Sequence, residues 1–490
     1  MTPARPPLDW LDPGNGRLIL AVGSGLVLLV AVPAFVAPHF VWMPSALLLG
    51  FALALFSVRR TLAILLVGTI VLPGTVLMML VLPGGLRIQE GLMLAAFGFA
   101  FIDVFYLRGL RLRSSALDRA VLAFLALTLV SMAVGLIYQN STSVILRDGR
   151  FLLYYSAFFL VTHFVDERAV LRLFLPLLLA SGLVVGIEYV LEFLGAVDLS
   201  MGSRFARVAR LQGLILPVAL LFVANQFIHD PRRYGRLVLA CLSVPMGLAL
   251  VLTVGRGMWV AFAAGLVAAV CLRHLARWGP RPRVWSTVAL LVAILAFVGA
   301  TALLFQRFTG AAIGAHALER SRTFVDIQRD VHVLGRISSY MVALEEIERR
   351  PILGSGQGKT IGVLTFNEEF MGFERTTTWT VDSLYLTLLL KMGIAGLLAF
   401  GWLYLKVLRL GLAVFRSSGD AQARAFAAGA VSVLLAMAVL GASDAAMVNG
   451  RFALVFAMIF GFVAVVGRRV PAFSGGGRPP LPPPSMPRET

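Results

Sequence analysis

Apolar runs of membrane-spanning length, separated by short polar breaks, cover most of the chain. A helix needs roughly 17–25 apolar residues to cross a bilayer core. On that measure the pattern predicts spans near 18–36, 42–58, 61–82, 89–107, 117–138, 149–165, 169–195, 211–228, 237–254, 257–273, 284–305, 382–405, 425–442 and 452–467. The expected fold is therefore all-α, a polytopic transmembrane bundle of about 14 spans (range 12–14). Pro73 and Pro83 interrupt the third run, and the sixth also fits a shallow amphipathic helix.

One polar stretch, 306–381, breaks the rhythm, and it leads into the span that opens at Asp382. Within it, Ile337, Tyr340/Met341, Leu344 and Ile347 recur at helical spacing. They predict an amphipathic helix over 336–350, ended by Pro351, lying on the membrane surface or capping a cavity. The expected organisation is four-part. About eleven spans fill 1–305, an external (periplasmic) loop domain fills 306–381, about three spans fill 382–469, and a Pro/Gly-rich disordered tail fills 470–490.

Charge orients these elements. Arg59/Arg60, Arg108/Arg111/Arg113, Arg168/Arg172, Arg232/Arg233/Arg236, Arg273/Arg277/Arg281/Arg283, Lys406/Arg409/Arg416 and Arg468/Arg469 all fall in alternate connections. The positive-inside bias makes that side cytoplasmic, with both termini, and the opposite side external. The breaks at 139–148, 196–210, 255–257 and 444–451 join 306–381 on the external side.

Composition agrees: the chain is 59% hydrophobic and 14% charged, whereas soluble domains are about half apolar and about a quarter charged. The net charge of +18 follows from topology, so nucleic acid is not an expected partner. Cys241 and Cys271 both lie in apolar runs, which excludes a disulfide framework and argues against a thiol mechanism. The first run lacks a cleavage-site pattern and reads as a retained helix.

Candidate chemistry gathers on the external side. Arg210 stands at the mouth of the eighth span, Arg256 in the tight Gly255-Arg256-Gly257 turn, Arg336 at the start of the amphipathic segment, and Asp382 at the start of the twelfth span. A guanidinium suits bidentate contact with phosphate oxygens, and a carboxylate beside it can take a proton from a hydroxyl. The competing reading is that helix-end arginines snorkel to the interface. It weighs less on Arg256, whose flanking glycines leave the backbone open to a ligand.

Other polar groups read as structural. Glu345, Glu346 and Glu348 form a solvated face, and His163, His229 and His274 sit near cytoplasmic ends. The stretch Gly354-Ser355-Gly356-Gln357-Gly358-Lys359-Thr360 has Leu353 where a phosphate loop needs glycine, so it reads as a turn after a helix. Asp103, Glu188, Glu192 and Lys391 are intramembrane ionisable groups and functional suspects. Lys391, about 13 Å along the helix from Asp382 and on its other face, is expected to pair with a different helix. The sequence shows no cluster that would hold a metal and no convincing internal repeat.

Four segments, taken in order, resemble the O-antigen ligase and polymerase family of bacterial polysaccharide assembly. They are 209–213 (ARLQG), 252–259 (LTVGRGMW), Arg336 through 351–356 (PILGSG), and 381–386 (VDSLYL) with 392–396 (MGIAG). The resemblance implies glycan transfer from an undecaprenyl-diphosphate-linked donor at the periplasmic face of the bacterial inner membrane. The acceptor would be a glycan, a lipid A core or a protein, among membrane lipids. It implies diphosphate binding by Arg210, Arg256 and Arg336, catalysis by Asp382 and Arg336, and no cofactor or metal. Two positions depart from the family: Asp382 stands where ligases carry a histidine, and Gly255 replaces the usual serine. The first departure leans toward a polymerase. A ligase with the same donor and a lipid-linked saccharide transporter or flippase are the alternatives.

Overall fold

The computed structural model describes residues 57–73, 87–107, 114–194, 211–253, 255–276, 331–367, 372–448 and 450–470, with Leu77, Leu80 and Arg307. In chain order the principal helices are α1 (Val58–Val71), α2 (Ile88–Ile102), α3 (Asp118–Ile137), α4 (Thr142–Leu153), α5 (Ala157–Phe164) and α6 (Glu167–Phe193). They continue as α7 (Ile215–His229), α8 (Arg236–Leu252), α9 (Arg256–Ala276), α10 (Val331–Arg349), α11 (Leu384–Ser417), α12 (Ala421–Leu440) and α13 (Phe452–Val466). A hairpin of β1 (Ile361–Asn367) and β2 (Gly372–Thr378) lies between α10 and α11, antiparallel with Ile361 opposite Thr378.

The protein is mostly helical and is a membrane protein. Among the described residues, seven helical segments are long and apolar enough to cross a bilayer, and Arg236–Leu252 and Phe452–Val466 are shorter apolar helices. The described residues do not confirm the expected count of about fourteen. The expected spans 18–36 and 284–305, and all but the end of 42–58, lie outside the described residues. The third is cut short: α1 ends at Val71, with Leu72 extended before Pro73, because the residue before proline is pushed out of the helical region. The sixth is broken. Helix begins already at Thr142, inside the expected external turn, and passes through the 3-10 turn Tyr154–Ser156 into the eight-residue α5.

Helix α13 is apolar on every side and buried at every position. A helix without a polar face needs protein or lipid all round it, and here α5, α11 and parts of α1 and α12 surround it. Lipid-length helices pack outside, with α12 against α7 and α9, and α3 along α11. Leu122, Leu129 and Leu136 on α3, and Ile394, Leu398 and Leu405 on α11, are exposed, as bilayer-facing positions should be.

The hairpin is a departure from the all-α expectation. Helix α10 forms where the spacing predicts one, but of the predicted stripe only Tyr340 and Ile347 pack inward. Ala343 is fully buried and Ser339 nearly so, and with Tyr340, Val342 and Ile347 they meet Ile361, Val363, Val381 and Leu390. Small side chains let the hairpin approach closely. Ile337, Met341 and Leu344 stay exposed.

Helix α11 is two helices joined at Gly393, where φ is 65° and ψ is −166°. The glycine-rich turn after α10 fits into the break. Ile394 and Ala395 amides donate to the Pro351 and Ile352 carbonyls at 2.8 and 3.2 Å, and Ser355 and Gly356 amides donate to the Leu390 and Lys391 carbonyls at 2.8 and 3.1 Å. A broken helix is tolerated in an apolar setting only where such partners satisfy the freed backbone groups. A Cβ at Gly393 would fall 2.2 Å from the Ile352 oxygen. No phosphate loop is built here, because the Gln357 and Gly358 amides are also engaged, by the Ser131 carbonyl and the Asp148 carboxylate.

Candidate active site

Three loops meet at the start of α11. Ser383 caps the helix, accepting from the Leu386 amide. The Leu384 amide and Ser383 hydroxyl donate to the Gly441 carbonyl at 2.8 and 3.3 Å. The Tyr340 hydroxyl of α10 lies 2.7 Å from the Asp382 carbonyl and 3.2 Å from that of Ala442. Burial pushes that phenol above its usual value, so it stays a donor. The 441–448 turn, the N-terminus of α11 and the middle of α10 are thus tied together.

At this junction Arg336 Nε donates to Asp382 Oδ2 at 3.3 Å, across 46 residues of sequence. Their side chains are 44% and 58% exposed. An ion pair so open to water adds little to stability, about 0–1 kcal/mol, and leaves both groups within reach of a ligand.

Asp444 completes the cluster. Its Oδ1 accepts the Ala446 amide at 2.8 Å. Burial raises its pKa from 3.8 to about 6, against the pull of the Ala446 amide; the Asp382 charge adds to the rise and Arg336 opposes it. A carboxyl that titrates near neutrality beside another carboxylate is a functional-site signature.

Arg256 opens α9 alongside the same turn. A Cβ at Gly257 would fall 2.8 Å from Ser443 Oγ, so the glycine permits this approach. The turn Leu211–Leu214 is near as well, since a Cβ at Gly213 would lie 3.3 Å from Thr253. Gln212 is fully buried and donates to the Val71 carbonyl at 3.0 Å, a structural contact.

The structure thus brings Arg336 and Asp382 into contact and sets the Arg256 turn against the turn that carries Asp444. Arg210 lies outside the described residues. Sequence reasoning missed Asp444 and Tyr340 as site members. An acid in an external turn was the available signal for Asp444. For Tyr340 there was none, because its ring reads as part of an apolar stripe. Among the described residues, no three His, Cys, Asp or Glu side chains gather as metal ligands.

The model of the O-antigen ligase family matches residues 241–401. That stretch is similar to an O-antigen ligase domain. Together with the apolar helices, the match supports a membrane glycan enzyme of the O-antigen ligase and polymerase type. No curated protein matches the chain. The matched stretch takes in Arg256, Arg336 and Asp382, along with the hairpin and the break in α11, while Asp444 lies beyond its end.

Proposed function

We propose that the protein polymerises undecaprenyl-diphosphate-linked oligosaccharide repeat units at the periplasmic face of the inner membrane. The observation that carries this reading is the Arg336–Asp382 contact within the stretch similar to an O-antigen ligase domain. Arg336 and Arg256, with Arg210, would hold the donor diphosphate and neutralise the charge that grows on it as the glycosidic bond breaks. Asp382 would take the proton from the attacking sugar hydroxyl as that oxygen bonds to the anomeric carbon and the lipid diphosphate departs. Attack from the face opposite the leaving group inverts the anomeric centre. Asp444, titrating near pH 6, is a ready second site for that proton. Arginines supply the positive charge, so the scheme uses no metal.

A ligase would use the same donor and a lipid A core or protein acceptor, but Asp382 departs from the histidine of ligases. A transporter would hold its substrate near the midplane between helices, whereas Arg256, Asp382 and Asp444 here lie at or just beyond helix ends. The test is in vitro: purified protein given only lipid-linked repeat units should yield a ladder of lengthening chains. Transfer that occurs only when a lipid A core is supplied would favour the ligase, and no transfer to any acceptor would reject both.

A further inference from the structure

The half-helix 384–392 carries Asp382 just ahead of its first turn and Lys391 at its far end, about 13 Å apart along the axis. Because α11 breaks at Gly393, helix continuity does not hold this segment from below. It is tied at one end by the Gly441 carbonyl and at the other by the glycine-rich turn and the Ser131 hydroxyl, which donates to the Lys391 carbonyl at 2.7 Å. One side-chain tie is ionic. Lys391 Nζ meets Asp148 Oδ2 of α4 at 2.8 Å, with 4% and 1% of the side chains exposed. The same carboxylate oxygen accepts the Gly358 amide at 3.1 Å.

Withdrawing two charges from water costs several kcal/mol per ion, and an apolar pair of equal volume is often as stable or more so. Stability alone therefore does not account for this pair. Position does. A small cavity lined by Asp148, Gln357, Thr387 and Lys391, and by apolar side chains such as Leu388 and Met392, lies beside the half-helix, within five residues of Asp382. Gln357 is fully buried there and its side-chain amide makes no hydrogen bond with the protein. Leu388 and Met392 are packed, but apolar packing is non-directional; the ion pair and the backbone bonds around it fix the orientation.

We propose that Asp148 and Lys391 are positioning residues for the Asp382 site, fixing the tilt of 384–392 and so the place of the carboxylate against Arg336. This rests on the reading of Asp382 as the base. The test is the double variant Asp148→Asn/Lys391→Met in the full-length protein. It removes both charges of the pair; Arg147, whose Nε lies 3.7 Å from Asp148 Oδ1, keeps a partly exposed side chain, and the asparagine can still accept the Gly358 amide. Its melting temperature should stay within a few degrees of wild type. The kcat on a lipid-diphosphate-linked donor should fall about 10²-fold, the loss that roughly 1 Å of misplacement brings, with KM within about twofold. Amide exchange should accelerate about tenfold over 383–392 and remain unchanged in α12 and α13. Full kcat, or exchange accelerated throughout the chain, would overturn the proposal. Should the wild-type chain leave the donor untouched, the polymerase reading falls and exchange alone decides: acceleration confined to 383–392 upholds the tie, and unchanged exchange overturns it.

Discussion

Asp444→Asn should make the protein more stable at pH 8 and less active. In the folded chain the Asp444 carboxyl is raised from 3.8 to about 6, chiefly because burial disfavours its charge. A raised acid favours folding while it is protonated. That contribution is complete below about pH 4 and is lost as the pH climbs through 6. The difference amounts to about 3 kcal/mol. Asparagine is neutral at every pH, and its side-chain oxygen can keep the bond that Asp444 makes to the Ala446 amide. Differential scanning fluorimetry of the purified protein should therefore find the variant melting a few degrees above wild type at pH 8. The gap should narrow to about half near pH 5 and close below about pH 4, where the carboxyl is protonated in the folded and unfolded chains alike. Comparing the two proteins at each pH cancels every other titrating group. If the variant melts at or below wild type at pH 8, or the gap does not close on acidification, Asp444 is not the buried acid described here.

Arg336→Ala should lower kcat/KM about 10²–10³-fold, as loss of a donor to developing charge does. Its melting temperature should hardly move, because the pair with Asp382 is exposed; a large thermal loss would make Arg336 structural. Tyr340→Phe removes the hydroxyl that reaches the Asp382 and Ala442 carbonyls and should cost about 1 kcal/mol, read as a small drop in melting temperature. Gly393→Ala forces a side chain into positive φ and against the Ile352 carbonyl. It should abolish recovery of monodisperse protein in size-exclusion chromatography, and normal recovery would show that the break in α11 is not required.

Much of this arrangement was legible before any coordinates. Spans α2, α3, α6, α7, α9, α12 and α13 announce themselves because lipid demands long apolar runs, and local composition records that demand. The partnership of Lys391 with another helix was also foreseeable, since a charge so far along the span from Asp382 cannot reach it. The breaks in α11 and near Tyr154 were not foreseeable. Both occur inside apolar sequence, and what permits the first is a glycine-rich turn from elsewhere in the chain that exchanges hydrogen bonds with Leu390, Lys391, Ile394 and Ala395 around Gly393. Part of the packing face of α10 escaped for a related reason: Ser339 and Ala343 are buried though small, whereas the larger Ile337, Met341 and Leu344, which the apolar spacing picks out with Tyr340 and Ile347, stay exposed. Asp444 needed tertiary structure to reveal its burial, because a turn aspartate at an apolar helix end usually reads as solvated.

The most direct measurement is the profile of lipid-linked saccharides in cells whose only copy of the protein carries Asp382→Asn. If Asp382 is the base of a polymerase, single repeat units accumulate on lipid and longer chains disappear. Long chains at wild-type abundance would contradict the account.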